Sequence, residues 1–231
     1  YTTLFRSRLK KGLMQRLLTK GIGHEDFKEV RILGKKQLIP ANWELTKLSN
    51  LVKIRSGYSP SKFNLFDRGE FPFIKVNDMN FAHKYIAKAA LYFNESDYKL
   101  FSGGTVIFPK RGAAISTNKV NIIDNEALCD TNIMGLISKT NLLSEYLFYF
   151  IQDLGLWQFA DTTSIPQINN KHVELIFIPL PPLPEQKQIA SILSSVDNKI
   201  QKEQEYKERL QQLKKGLMQQ LLTGKIRVNS V

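Results

Sequence analysis

Apolar residues recur at helical spacing near both ends of this chain and fall into short strand-like runs between them. Near the start, Leu4, Phe5, Leu9, Leu13, Leu17 and Leu18 form one stripe over residues 4–19, which predicts a helix. Gly21 and Gly23 stop it, at a length of roughly 30 Å at most. Residues 24–42 read as a charged connector that closes with Ile39-Pro40, ahead of Trp43, the expected anchor of the next domain. Residues 43–178 then read as one mixed domain. Residues 48–54 are a short helix or strand, and residues 71–76, 105–108, 119–123 and 133–138 are strand candidates. Ser144-Glu145 opens a core-packing helix running to about Phe159, with Tyr146, Phe148, Tyr149, Phe150 and Trp157 along it. Residues 173–178 are a last short strand. The run Pro179-Leu180-Pro181-Pro182-Leu183-Pro184 is stiff and separates this domain from the C-terminal helical segment.

Pro184 suits the first position of a helix, and Glu185 complements its dipole. The pattern carries that helix to Thr223, with Gly224 as its stop, a length of about 60 Å. Ile189, Leu193, Val196 and Ile200 follow 4-3-4 spacing, and so do Tyr206, Leu210, Leu213 and Leu217, with Leu221 one turn on. The two runs are out of phase by one residue, a local stammer in a coiled-coil seam. A single-faced helix of this length needs a partner. The first helix is the obvious candidate, because residues 9–22 (LKKGLMQRLLTKGI) are nearly repeated at residues 213–226 (LKKGLMQQLLTGKI). It is too short to cover the whole seam, so more chain, another subunit or a second molecule is expected to supply the rest. The organisation expected is therefore a helix tail (1–23), a connector (24–42), one domain (43–178), a Pro-rich hinge with the long helix (179–224) and a tail (225–231).

Composition adds two constraints. The net charge of +12 suggests a polyanionic partner. Its distribution qualifies that: residues 1–42 hold ten Lys/Arg against three Asp/Glu, residues 43–183 fourteen against thirteen, and residues 184–231 nine against five. The excess sits on the flanks, so a nucleic-acid face on the central domain requires clustering of its basic side chains. No apolar run is long enough for a membrane helix, and no signal peptide is visible. A single cysteine, Cys129, excludes an internal disulfide and reads as a buried thiol in a reducing compartment.

Catalytic signatures are missing from the sequence. It holds no phosphate-binding loop, no dinucleotide fingerprint, no Asn/Asp-Pro-Pro-aromatic tetrapeptide and no nucleophile elbow. His24, His83 and His172 are scattered, so no zinc site is expected. Asp124, Glu126 and Asp130 lack the lysine that a nuclease E-x-K motif requires. Three polar loops remain, at residues 56–62, 110–119 and 162–170, each mixing hydroxyl and amide side chains with basic residues or proline. Such residues donate to phosphates and read base edges. The candidate DNA-binding residues are Ser56, Tyr58, Ser59, Ser61, Lys62, Lys75, Asn77, Lys110, Arg111, Thr117, Asn118, Lys119, Thr163, Ser164, Gln167 and Asn169. The candidate seam residues are Leu9, Leu13, Leu17, Ile189, Leu193, Val196, Ile200, Tyr206, Leu210, Leu213, Leu217 and Leu221.

Taken together, these stretches resemble the DNA specificity subunits of type I restriction–modification enzymes. The resemblance is strongest over residues 178–193 (IPLPPLPEQKQIASIL), with its prolines, the Glu185-Gln186 pair and the Ile189-Ala190 pair. The Lys-Lys-Gly-Leu-Met-Gln-x-Leu-Leu-Thr element at 10–19 and 214–223 also carries it, as does Gly21-Ile22-Gly23-His24 leading to Ile39-Pro40 and Trp43. Ser56-Gly57, Ile74-Lys75, Gly112-Ala113 and Ile165-Pro166-Gln167-Ile168-Asn169 are looser matches within the domain.

The resemblance implies an α+β architecture: one target recognition domain flanked by a short N-terminal helix and a long C-terminal coiled-coil helix. Full subunits of that family carry two recognition domains, each reading half of a split DNA site, spaced by two long helices that dock methyltransferase subunits. This chain is similar to the second half of such a subunit, or to a half-subunit that dimerises. The implied partners are double-stranded DNA, methyltransferase subunits, a restriction/translocase subunit indirectly, and a second copy. The implied chain binds no metal or cofactor and is not an enzyme; S-adenosylmethionine, ATP and Mg²⁺ belong to its partners. The implied location is the cytoplasm of a bacterium or archaeon, at the nucleoid. Two rivals come from other classes: a coiled-coil adaptor that never touches DNA, and a stand-alone nuclease.

Overall fold

The computed structural model describes residues 2–94, 98–162 and 165–223, with side chains from residue 8 onward. They fall into two compact units, residues 14–190 and residues 2–13 with 191–223. In chain order the elements are α1 (Thr2–Lys20), β1 (Phe27–Ile32), β2 (Lys35–Pro40), β3 (Glu44–Lys47), α2 (Leu48–Leu51), β4 (Val52–Ser56), β5 (Phe71–Ile74), β6 (Tyr85–Ile86), β7 (Leu91–Phe93) and β8 (Val106–Pro109). They continue with β9 (Asn121–Ile123), β10 (Leu128–Cys129), β11 (Ile133–Ser138), α3 (Ser144–Leu154), α4 (Asn170–Glu174), β12 (Phe177–Leu180) and α5 (Leu183–Leu222). This is the mixed architecture expected, with a short helix first and a long helix last.

The centre of the larger unit is a five-stranded sheet in the order β4-β11-β8-β9-β6, beside a three-stranded sheet in the order β10-β5-β7. Alternation along the strands sorts the apolar side chains into separate cores. Ile74 and Cys129 join Ile107, Ile123, Ile133, Phe101 and Met79 in one buried cluster. Phe73 and Leu128, one residue earlier on β5 and β10, join Phe63 and Phe93 in another. Cys129 is fully buried, as expected, and burial pushes its thiol pKa up. The helix α3 packs on β8, β9 and β11 and buries six consecutive residues, Tyr146 to Ile151.

Several boundaries differ from expectation for local reasons. Residues 27–40 are not a featureless connector but an antiparallel hairpin, β1 with β2. Leu33 and Gly34 turn it with φ of 47° and 77°; two successive positive φ values are the mark of a two-residue hairpin turn. The helix from Ser144 stops at Leu154 because Gly155 takes φ 81°, and residues 156–159 continue as one 3₁₀ turn. Val173 lies in α4 rather than in a strand. Asn169 caps that helix, and its N–H is held by Nδ1 of His172 at 3.3 Å.

The Pro-rich run ends in a lock built from Glu185 and Gln186. Oε1 of Glu185 accepts the Ile22 N–H at 3.1 Å and lies 2.7 Å from Nε2 of His24. Its Oε2 accepts the Trp43 indole N–H at 3.0 Å. One carboxylate thus ties the end of α1 and the anchor tryptophan to the first turn of α5. Gly21, at φ 63°, leaves the space that this needs: a Cβ there would lie 2.6 Å from the Trp43 ring and 2.5 Å from Glu185. Gln186 is fully buried. Its Oε1 accepts the Leu143 N–H at 2.8 Å, and its Nε2 donates to Asn141 and Pro181 carbonyls at 3.0 and 2.9 Å. Tyr146 adds a bond to the Pro179 carbonyl at 2.8 Å.

In the smaller unit, the first turns of α1 meet α5 through Lys10, whose Nζ lies 2.6 Å from Oδ1 of Asp197. Of the expected seam residues, Leu193 of this unit is buried and Leu13, Val196 and Ile200 are half-buried; Leu17 and Ile189 belong to the larger unit and are buried there. Leu9, Tyr206, Leu210, Leu213, Leu217 and Leu221 are exposed.

Candidate nucleic-acid interface

Strand direction gathers the candidate residues at one end of the domain. Both β4 and β8 run antiparallel to β11, which lies between them, so Ser56 and Pro109 end at the same edge on either side of it, opposite Met134 and Ile133. Strands β5 and β10 are parallel and end together at Ile74 and Cys129. The Tyr58 N–H donates to the Cys129 carbonyl at 2.8 Å, and the Asp130 N–H to Ile74 at 2.9 Å, so the two sheets share this edge. β6 and β9 begin there.

Along this edge the basic loop after β8 is built into place. The Lys110 N–H donates to the Asn132 carbonyl, and the Lys110 carbonyl accepts the Ile168 N–H, both at 2.8 Å. The Gly112 N–H donates to Pro166 at 2.8 Å. Loops 110–112 and 165–168 therefore lie against each other, although more than fifty residues of sequence separate Arg111 and Gln167. Lys110 Nζ donates to Ser56 Oγ at 2.7 Å and is half-buried; burial and the neighbouring Arg111 charge push its pKa down. Arg111 is exposed, and its Nη2 stands 3.4 Å from Oε1 of Gln167. Gln167 in turn donates from Nε2 to Oδ1 of Asn169 at 2.7 Å. Arg111, Gln167 and Asn169 form a relay of donors and acceptors on the surface, chemistry suited to base edges.

The other candidates divide. Ser59, Ser61 and Lys62 lie on the adjoining loop, with the two hydroxyls 2.8 Å apart. The Tyr58 ring packs edge-on to Phe63 and Tyr98, each at 6.0 Å, so it closes the apolar core beneath. Lys75 and Asn77 follow the end of β5, where the Asp78 carboxylate accepts the Lys75 N–H at 2.7 Å. Asn118 is committed to the fold: its Nδ2 donates to the Gln152 carbonyl at 2.8 Å and its Oδ1 accepts the Leu156 N–H at 2.9 Å, pinning the end of α3. The Thr117 hydroxyl is turned back onto the Ala114 carbonyl at 2.7 Å, and Lys119 is half-buried beside it. Thr163 and Ser164 lie outside the described residues.

Sequence reasoning missed Asn132 and Arg55. Asn132 reaches the edge because the β10–β11 turn lands there; the Asp130 carboxylate folds that turn by accepting from Thr131 Oγ1 and from the Asn132 N–H and Nδ2 at 2.8–3.0 Å. Arg55 precedes Ser56, with its guanidinium 3.7 Å above the Phe101 ring and no protein acceptor for any guanidinium nitrogen. Burial pushes its pKa down, opposed by Tyr58 and Cys129. No local pattern in the sequence announces either position. Among the described residues, no cluster of His, Cys, Asp or Glu forms a metal site, and no helix is long and apolar enough to cross a membrane.

Fold and edge define an α+β domain with a polar, basic-tipped edge, followed in the chain by a long helix. The chain belongs to the type I restriction modification DNA specificity domain family, whose model matches residues 40–212 and whose members are the non-catalytic DNA-recognition parts of these systems. It is 30% identical to the type I restriction enzyme MjaVIII specificity subunit of Methanocaldococcus jannaschii, over 97% of this chain and 55% of that protein. The MjaIX specificity subunit of the same organism is 26% identical over 91% of this chain and 51% of that protein. The chain thus spans about half the length of the curated relatives it matches. In fold it is similar to the HsdS subunit from Thermoanaerobacter tengcongensis, with TM-score 0.64 and 17% identity over 94% of this chain and 50% of that one. A chain from a structure of assembly and conformational transition in the type I R-M system gives TM-score 0.65 at 20% identity, over 94% and 53%.

Proposed function

We propose that this chain reads one half of a bipartite DNA site in a type I restriction–modification system, in the cytoplasm of its host. The observation that carries the reading is the convergence of Ser56, Lys110, Arg111, Gln167 and Asn169 at one edge through strand ends far apart in sequence. A domain with nearly balanced charge gains a DNA-facing surface in this way, by grouping its donors rather than by their number. Arg111 suits bidentate contact with guanine, whereas Lys110 suits phosphate.

The long helix is the second half of the proposal: it spaces the half-sites, docks methyltransferase subunits and pairs with a second copy. The near-repeat supports a missing cover on α5. Met14, Leu17 and Leu18 of the first copy are 5%, 8% and 2% exposed, whereas their counterparts Met218, Leu221 and Leu222 are 49%, 45% and 83% exposed. Methylation then uses S-adenosylmethionine held by the methyltransferase subunits, and cleavage uses ATP and Mg²⁺ on a restriction subunit.

The test is binding competition between a selected duplex and its single-base variants at two salt concentrations. Arg111→Ala is expected to lower affinity and to relax preference at one position by about 1–3 kcal/mol. Lys110→Ala is expected to weaken all duplexes alike and to flatten the salt dependence. If both substitutions leave affinity and salt slope unchanged, this loop is not at the DNA.

A further inference from the structure

The same edge presents two large apolar side chains, Ile165 at 65% exposed and, more exposed still, Phe81. Phe81 is 88% exposed, on the loop that joins the end of β5 to the start of β6. That loop is firmly held. Asp78 accepts the Lys75 N–H at 2.7 Å and the Ala90 N–H at 3.1 Å, and Met79 is fully buried beside it. Just after Phe81 in sequence, the Ala82 carbonyl accepts from Nδ2 of the buried Asn121 at 3.3 Å. The ring is therefore presented to solvent by backbone pinned immediately before and after it.

We infer that Phe81 is an apolar base-contacting residue that completes this DNA-reading edge; the inference rests on the function proposed above. An exposed phenyl on a fixed loop offers no hydrogen bond to phosphate. What it offers nucleic acid is contact with a thymine methyl group or with the face of an unstacked base. Its position supports DNA over a protein partner, because strand direction places it at the end that carries Ser56, Lys75 and Arg111.

The test uses the full chain, with any subunits that co-purify, to select duplexes from a randomised pool. Phe81→Ala, Phe81→Leu and Arg111→Ala are then measured on the selected duplex and on a scrambled one. Phe81→Ala is expected to cost about five- to fifty-fold on the selected duplex. Affinity for the scrambled duplex and the salt slope stay unchanged, and Phe81→Leu restores part of the loss. Replacing thymine by uracil in the selected duplex separates the two contacts: the loss disappears if the methyl group is the target and persists if a base face is. Unchanged affinity for Phe81→Ala while Arg111→Ala binds weakly overturns this inference alone. Lost subunit assembly with normal DNA affinity overturns it in favour of a protein contact. A parent chain that selects no sequence overturns the proposed function, and this inference with it.

Discussion

Replacing Glu185 should cost the larger unit much of its stability. The carboxylate is 13% exposed and holds three groups from two segments: the Ile22 N–H and His24 after α1, and the Trp43 indole. A hydrogen bond to a charged group is worth ~1.5–3 kcal/mol, and bonds sharing one acceptor do not add in full. Glu185→Ala also leaves the Trp43 N–H and the Ile22 N–H without acceptors where little water reaches them. The expected loss is about 3–5 kcal/mol, a large part of the ~5–15 kcal/mol typical of a folded protein. Glu185→Gln keeps the shape and one acceptor oxygen but turns an amide toward a donor, so its expected loss is smaller, about 1–3 kcal/mol. Urea unfolding followed by tryptophan fluorescence and circular dichroism measures both, with Trp43 reporting directly on the site. If Glu185→Ala unfolds within about 1 kcal/mol of the parent, the carboxylate does not lock these segments together.

Two more outcomes concern charged groups inside the domain. Arg55→Met keeps contact with Phe101 while removing a guanidinium that meets no protein acceptor. The desolvation cost of such a charge exceeds a cation–π contact, so a gain of about 1–2 kcal/mol in urea unfolding is expected, and a loss above about 1 kcal/mol would refute it. Glu145 accepts from Lys84 and from the Tyr85 hydroxyl. Burial pushes its pKa up, but those two bonds together outweigh it and hold the carboxyl below its ordinary value. A lowered folded pKa stabilises above the ordinary range, and that stability is lost as pH falls through it toward the folded value. Unfolding from about pH 7 down to about pH 3 should therefore show a decline below about pH 4.5 that Glu145→Gln flattens; an equally steep decline in the variant would exclude Glu145 as its source.

What could be read from sequence was what neighbours in sequence decide. The stripe ending at Gly21, the long helix from the Pro-rich run and the strand at residues 133–138 all depend on local periodicity or on glycine and proline chemistry, and each is present. The hairpin at residues 27–40 was hidden because its turn is Leu33-Gly34, and a leucine at positive φ is not a turn signal. The role of Asn118 was hidden for another reason. A polar residue in a polar loop looks available until the end of α3, more than thirty residues on, arrives to take both ends of its amide. Met79 and Phe81 show the same limit, since two similar apolar residues two positions apart end in opposite surroundings, one fully buried and one nearly bare.

Under the proposed function, charge distribution divides the work of DNA binding between parts of the chain. Residues 43–183 carry fourteen Lys/Arg against thirteen Asp/Glu, so the domain that presents the polar edge has little net attraction for DNA. Of the two basic residues at the β8 loop, Arg111 is exposed, and Lys110 is half-buried with one of its three ammonium N–H groups on Ser56, so the loop offers at most two cations. Few phosphates are neutralised by such a surface, and salt dependence scales with the number neutralised. Under the proposed function, specific contact and general attraction are expected from different segments: discrimination from the edge, and salt-sensitive affinity from the basic flanks at residues 1–42 and 184–231 with any partner bound to them. A neutral reading head has a physical advantage in this arrangement. Under the proposed function, a wrong base forfeits whatever contacts Arg111, Gln167 and Asn169 make to the right one, without a large nonspecific term to mask the loss, so discrimination per contact is expected to stay high even where total affinity is modest.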